Sequence, residues 1–304
     1  MPTLFDRAVA GMLPAVPKPV VRRVADRYIA GESLAEAVDC VRALNRQGAM
    51  ATVDVLGEAV TESAATIEYV GAYHGALEAI AEERLDCNIS IKLSALGLLI
   101  DPLLCRRNLF DLLDHARRLG IFVRVDMEDS RVTTATLDAV LDARRWYPGT
   151  GPVIQAYMRR SPADVERLVA AVPGLNVRLC KGIYDEAREI AVKDFDAIRL
   201  QFLALLDQLI DGGAYPAVAT HDELLIVAAA AEIGRRRLPR ERYEFQMLLG
   251  VDPQLRAILL DQGHRVRVYV PFGRAWYEYS RRRLRENPAV AGHVARAMLT
   301  PSIA

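Results

Sequence analysis

Lysine is scarce in this chain: only four of its 39 basic side chains are lysines, Lys18, Lys92, Lys181 and Lys193. Two of the four stand in short apolar segments that end in polar residues, Lys92 in CNISIKLS and Lys181 in LNVRLCKG, with Arg178 just before Lys181. Carboxylates occupy the same kind of place, since IFVRVDME carries Asp126 and Glu128. Cations and carboxylates brought to one place by neighbouring segments can hold an anion, orient a substrate or move a proton. Near the C-terminal end, Arg281-Arg282-Arg283 precede Glu286. Three adjacent helical residues cannot all face one way, but two can flank one site. A pair of arginines suits a small carboxylate or a phosphate through forked hydrogen bonds, and Glu286, four residues after Arg282, is spaced to hold that guanidinium.

Such residues need elements to place them. Eight segments read as strands: ATVDVLGE from Ala51, CNISIKLS from Cys87, IFVRVDME from Ile121, GPVIQAYM from Gly151, LNVRLCKG from Leu175, YPAVATHD from Tyr215, YEFQMLLG from Tyr243 and VRVYVPFG from Val266. Stretches with apolar residues at three- and four-residue spacing fill the gaps, among them RRNLFDLLDHARRLG and SPADVERLVAAVPG. In the second, Ser161 is expected to cap the helix, Pro162 suits its first turn, and Pro173-Gly174 stops it. Alternating strands and helices pair in parallel through right-handed crossovers, and eight such units make a (βα)8 TIM-like barrel. A doubly wound open sheet is the runner-up, but the GxGxxG turn that usually marks its nucleotide site is missing. Residues 1–48 are expected to form an N-terminal helical arm, and residues 49–304 the barrel, in one domain overall.

In such a barrel, function sits at the C-terminal ends of the strands. That rule gathers Lys92, Asp126, Gln155, Arg178, Lys181, Tyr184, Thr220, His221, Gln246, Leu248 and Tyr269, with Arg282 and Arg283 on the following helix. Cations outnumber acids there, which predicts an anionic ligand. Tyr184, Tyr269 and Tyr279 add flat apolar walls with polar tips. The expected pocket takes a small amphipathic acid beside a larger anionic cofactor. Taken alone, His221 reads as a core histidine and Cys180 as packing. Arg117-Arg118 and Arg144-Arg145 read as solvated helix faces.

Composition narrows the classes. With 39 acidic side chains against 39 basic ones, the net charge is zero, which argues against a nucleic-acid binder built on bulk positive charge. No apolar run is long enough to span a bilayer, and no compact signal peptide is visible. Four dispersed cysteines without a CxxC pair read as reduced thiols, and five scattered histidines lack metal spacing, so no metal site is expected.

The motifs together resemble the proline dehydrogenase family in its short monofunctional bacterial form. They are SIKLSAL at Ser90–Leu96, VRVDME at Val123–Glu128, VIQAY at Val153–Tyr157, VRLCKGIY at Val177–Tyr184, ATHD at Ala219–Asp222, YEFQMLLG at Tyr243–Gly250, VYVPFG at Val268–Gly273 and YSRRRLREN at Tyr279–Asn287. The resemblance implies a distorted (βα)8 barrel that binds FAD without a Rossmann motif. It implies oxidation of L-proline to Δ1-pyrroline-5-carboxylate, with the electrons passed to a membrane quinone. It also implies a cytoplasmic protein, with peripheral attachment at the inner face of the membrane as a further hypothesis. Carried over by motif, Asp126 and Arg178 are the catalytic positions. Arg282 and Arg283 clamp the carboxylate with Glu286 behind them, and Lys92 sits beside it. Tyr184, Leu248, Tyr269 and Tyr279 surround the ring. Met127, Gln155, Arg178, Lys181, Gly182, Ile183, Thr220 and His221 contact FAD. Ile183 departs from the family, which usually has a small residue there. The competing class is a Schiff-base lyase of the aldolase type, with Lys181 or Lys92 as nucleophile; a non-catalytic barrel is the third.

Overall fold

Eight parallel strands close into a barrel in sequence order, each hydrogen-bonded to the next and β8 to β1, in the computed structural model, which describes residues 27–57, 60–277 and 279. The strands are β1 Met50–Val55, β2 Cys87–Ile91, β3 Val123–Val125, β4 Thr150–Gln155, β5 Asn176–Cys180, β6 Tyr215–Ala219, β7 Glu244–Leu248 and β8 Val266–Phe272. They coincide with the eight expected segments. Helix α1 (Leu34–Arg46) precedes β1, and the first seven strands are each followed by a helix: α2 Ser63–Glu82, α3 Pro102–Leu119, α4 Thr133–Trp146, α5 Ser161–Ala171, α6 Phe195–Asp211, α7 Glu223–Arg235 and α8 Pro253–Asp261. Of the expected arm, residues 1–26 lie outside the described residues; α1 packs on β1 and β8, covering their seam. Among the described residues no helix is long and apolar enough to cross a membrane.

Strand alternation sorts the side chains. Val53, Ile89, Ile91, Val123, Val125, Val268 and Val270 pack outward into one apolar core with α1–α4, and Val177, Leu179, Val218, Phe245 and Met247 into a second. Their neighbours in sequence therefore point into the lumen. These are polar: Asp54, Asn88, Ser90, Arg124, Arg178, Glu244, Gln246 and Arg267 are all buried. A barrel interior is ordinarily filled by branched apolar residues. Here it is filled by groups that must find partners or carry a desolvation penalty.

Helix ends follow local chemistry. Asp101 accepts from the Leu103 amide at 2.9 Å and Pro102 suits the first turn, so α3 starts four residues before the expected stretch. Ser161 is not the cap of α5. It lies inside the first turn and donates to the Gln155 carbonyl at 2.6 Å, which ties the helix to the end of β4. Arg144 is not solvated; it folds back to the Pro148 and Thr150 carbonyls, binding orphan acceptors beyond the end of α4.

Helices α2 and α3 meet through His74 and His115, whose Nδ1 atoms are 2.5 Å apart, with Asp111 2.7 Å from His74 Nε2. Burial, the His74 charge and Arg118 hold the His115 pKa below the ordinary imidazole value. The unfolded chain therefore binds that proton more readily, and stability rises with pH through this window. This contribution is fully present above about pH 6.5, the unfolded value, and is lost as the pH falls below it. His115→Gln should flatten the fall in Tm between about pH 7 and 5; a fall as steep as the parent's would show that this pair does not set it.

Candidate active site

The polar side chains at the upper end of the lumen form one connected network. Arg178 extends from β5 to reach Asp126 Oδ1 at 2.5 Å, Ser90 Oγ at 3.2 Å and, through Nε, Gln246 Oε1 at 2.5 Å. These partners lie on or just beyond β3, β2 and β7, none hydrogen-bonded to β5, so the contacts cross the lumen. Ser90 donates to Asp126 Oδ1 at 2.7 Å and the Tyr269 hydroxyl to Oδ2 at 3.0 Å. Lys92 Nζ lies 2.8 Å from Asp54 Oδ1, 3.2 Å from the Tyr269 hydroxyl and 3.4 Å from Asp126 Oδ2. The Arg178 guanidinium also stands over the Tyr269 ring at 5.4 Å. Gln246 passes the chain downward, donating to Glu244, which pairs with Arg267 at 3.0 Å.

The charges set one another. Burial pushes the Asp126 carboxyl up, but Arg178 and Lys92 outweigh it and hold its pKa below the usual carboxylate range. Burial disfavours the Lys92 ammonium, yet Asp54 and Asp126 hold its pKa well above the usual lysine value. That is the reverse of what a Schiff-base lysine needs, since such an amine must be neutral to attack. Burial, with Asp126 and Asp54 nearby, keeps the Tyr269 phenol protonated and so a donor.

Around this centre the β5 end makes a second cluster. Asp222 is forked by Arg199 at 2.9 and 3.0 Å and takes Lys181 Nζ at 3.0 Å; both cations stand over the Phe195 ring, at 4.5 Å for Lys181 and 4.4 Å for Arg199. Gly182 has φ +108°, and a Cβ there would fall 2.1 Å from the Tyr157 ring. Thr220 accepts from the Asp222 amide at 3.1 Å, and His221 Nε2 accepts from the Leu248 amide at 2.9 Å, so His221 bridges β6 to β7. Gln155 donates to the Glu128 carbonyl at 2.9 Å, and Met127 is buried in the second core. Ile183 is exposed and Tyr184 half-buried. Tyr279 is buried with Ile29 and Leu56. Arg282, Arg283 and Glu286 lie outside the described residues.

One expectation changes. Each strand-end cation among the described residues meets a carboxylate: Lys92 meets Asp54, Arg178 meets Asp126, and Lys181 meets Asp222, which Arg199 also holds. Buried cations require such counter-ions. Asp54 joins the site without an expected role; its signal in the sequence is a lone acid in the apolar run of β1, on the same face as Thr52. Gln246 was seen at its strand end without a role, because its partner comes from β5.

A family model described as proline dehydrogenase matches residues 37–296. The chain belongs to the proline dehydrogenase family. It is 36% identical over 275 residues to proline dehydrogenase 1 of Bacillus subtilis subsp. natto, covering 90% of each chain. It is 34% identical over 281 residues to proline dehydrogenase of Deinococcus radiodurans, covering 91% of this chain and 90% of that one. Among solved structures, proline utilization A from Bdellovibrio bacteriovorus, inactivated by N-propargylglycine, superposes with a TM-score of 0.84 at 24% identity. That likeness covers 94% of this chain and 36% of the other. Proline utilization A from Bradyrhizobium japonicum, in the mutant D779W, gives a TM-score of 0.75 at 25% identity over 91% of this chain and 32% of that one. This chain thus spans about a third of those longer chains. As a proline dehydrogenase family member it is an oxidoreductase.

Gly182 is the strictest local requirement of the site, for both its backbone angle and its missing side chain. Gly182→Ala should displace Tyr157 and lower Tm by several degrees, the effect of a loss of about 1–3 kcal/mol; an unchanged Tm would show that the loop absorbs a methyl group.

Proposed function

We propose that the protein binds FAD and oxidises L-proline to Δ1-pyrroline-5-carboxylate, passing the electrons to a quinone. The observation that carries this reading is the Lys92–Asp126–Arg178–Tyr269 network, which assembles at the strand ends from the four separate family motifs that contain these residues. The cofactor reading is supported by the donors present. Arg178 Nη2 is buried without a hydrogen-bond partner. Lys181 is partly exposed at the rim, and Gly182 leaves room for close approach to the backbone. Arg178, Lys181, Gly182 and Ile183 would hold FAD together with Met127, Gln155, Thr220 and His221. FAD, when bound, supplies the hydride acceptor.

The chain's own part is binding, orientation and electrostatics. Arg282 and Arg283 clamp the carboxylate, with Lys92 beside it and Glu286 paired to Arg282. Tyr184, Leu248, Tyr269 and Tyr279 surround the ring and fix its carbon next to nitrogen. The ammonium form of proline first releases its proton to water, so that the lone pair of the free amine can form the C=N bond. Asp126, held ionised, is too weakly basic to be a strong proton acceptor. It acts as a fixed negative charge that favours the positive charge developing at that bond. The second cluster holds Lys181 in place through Asp222.

The visible spectrum tests this. Purified protein should be yellow, release FAD on denaturation, and bleach when proline is added without oxygen. A colourless protein that FAD does not activate, and that borohydride with a keto-acid inactivates, would overturn it in favour of a lyase. Arg282→Met or Arg283→Met should raise the KM for proline at least about tenfold with flavin still bound, the scale of one lost charge-assisted hydrogen bond; an unchanged KM removes the clamp.

A further inference from the structure

Asp54 belongs to none of the residues that the family motifs mark, and it is fully buried. Its side chain is 1% exposed, behind Lys92, on β1 opposite Ser90 of β2 and Pro271 of β8. Lys92 has three polar neighbours, and the shortest contact is to Asp54, at 2.8 Å against 3.4 Å to Asp126. Asp126 has Arg178, Ser90 and Tyr269 besides. Asp54 has Lys92, a long bond of 3.3 Å from the Tyr73 hydroxyl, which lies nearer the Ser90 carbonyl at 2.8 Å, and Tyr269 as a further donor nearby. Its other oxygen, Oδ2, is buried without a partner.

We infer that Asp54 is a positioning residue: it anchors the Lys92 ammonium at the floor of the site and so keeps Lys92 from pairing fully with Asp126. This rests on the reading of the site as a proline oxidase. Four buried charges, Asp54, Lys92, Asp126 and Arg178, are balanced two against two. Without Asp54 the ammonium has one remaining carboxylate within reach and moves onto it, competing there with Arg178 and Tyr269. Both consequences are adverse: Lys92 leaves the place assigned to the substrate carboxylate, and Asp126 loses the open negative charge assigned to the developing cation.

The same geometry makes Asp54 the weak point as pH falls. The groups facing it are Lys92 after β2, Asp126 after β3, Tyr269 on β8 and Tyr73 on α2. Burial raises its pKa, and Lys92 offsets this only in part, with Asp126 adding to the rise. Asp126 is held in the opposite direction. Asp54 is therefore the first of the two to take up a proton, and its protonation releases Lys92 just as its removal does.

The scarcity of lysine supplies a readout that needs no turnover. Four lysines give four side-chain NMR signals, and Lys92→Arg identifies one of them. In the parent, the Lys92 signal should keep its ammonium position to the highest pH at which the chain stays folded. In Asp54→Asn it should begin to deprotonate at least about one pH unit lower, because the nearest opposite charge is gone while the burial remains. The same variant should lose about tenfold in kcat/KM for proline with flavin content unchanged. Tyr73→Phe keeps the carboxylate but removes its second donor, and should move the acid limb of kcat/KM to higher pH. It also serves if Asp54→Asn does not fold. An Asp54→Asn Lys92 signal that titrates like the parent's, or a Tyr73→Phe acid limb that stays in place, overturns the inference. A normal Asp54–Lys92 coupling in a protein that does not oxidise proline would instead overturn the functional reading and leave the ion pair standing.

Discussion

Asp126 accepts hydrogen bonds from Arg178, Ser90 and Tyr269 and lies 3.4 Å from Lys92, in a lumen where an unpaired charge costs several kcal/mol. Keeping that carboxylate ionised is the condition on which the rest of the interior depends. It requires Arg178 to cross from β5, Lys92 to rise at the end of β2, and Tyr269 to enter from β8. Each of these in turn needs its own support. Gln246 orients Arg178 by accepting from Nε, and it can do so because its amide donates to Glu244. Glu244 stays ionised because Arg267 offsets its burial. A line of polar contacts thus runs from the lower layer of the barrel to its mouth, each member bonded to the next.

The outer face of the same strands is what makes this affordable. Two apolar cores lie between strands and helices. Loops beyond the strands are tied by carboxylates. Glu128 takes the Ser94 amide at 3.0 Å, and Glu186 takes the Ser130 amide and hydroxyl at 2.6 and 2.8 Å. These bonds link the β2–α3 loop to the β3–α4 loop, and that loop to the β5–α6 loop. The strand ends carrying Lys92, Asp126 and Lys181 are therefore held relative to one another by more than the barrel ladder. Preorganised charges of this kind stabilise a developing charge without reorganising when it forms.

At the rim, balance rather than excess is the rule. Lys181 meets Asp222, which Arg199 already holds by two bonds, and the aromatic face of Phe195 lies under both cations. A rigid, partly screened cation is better suited to orienting a ligand phosphate than to attracting it from a distance. The strand-end cations among the described residues are thus held by carboxylates.

The barrel was legible from sequence because strand and helix periodicities repeat eight times, and each strand ends at a polar break. The strand-end rule then named Lys92, Asp126, Arg178, Lys181 and Tyr269 from sequence alone. Residue pattern also located the first turn of α5 at Pro162 and its stop before Pro173-Gly174, but not the start of α3, which the Asp101 cap decides. Three things needed the tertiary structure. Charge balance did, because a strand pattern shows which residues point inward but not which partner from a distant strand meets them; hence the pattern gives Asp54 no place in the site and Gln246 no role. The need for glycine at Gly182 did, because it arises from Tyr157, twenty-five positions earlier in the chain. The pKa order of Asp54 and Asp126 did as well, because both are buried acids near one lysine, and only the extra donors around Asp126 separate them. Periodicity is a local property of the chain, whereas electrostatic partnership is set by distances across the lumen.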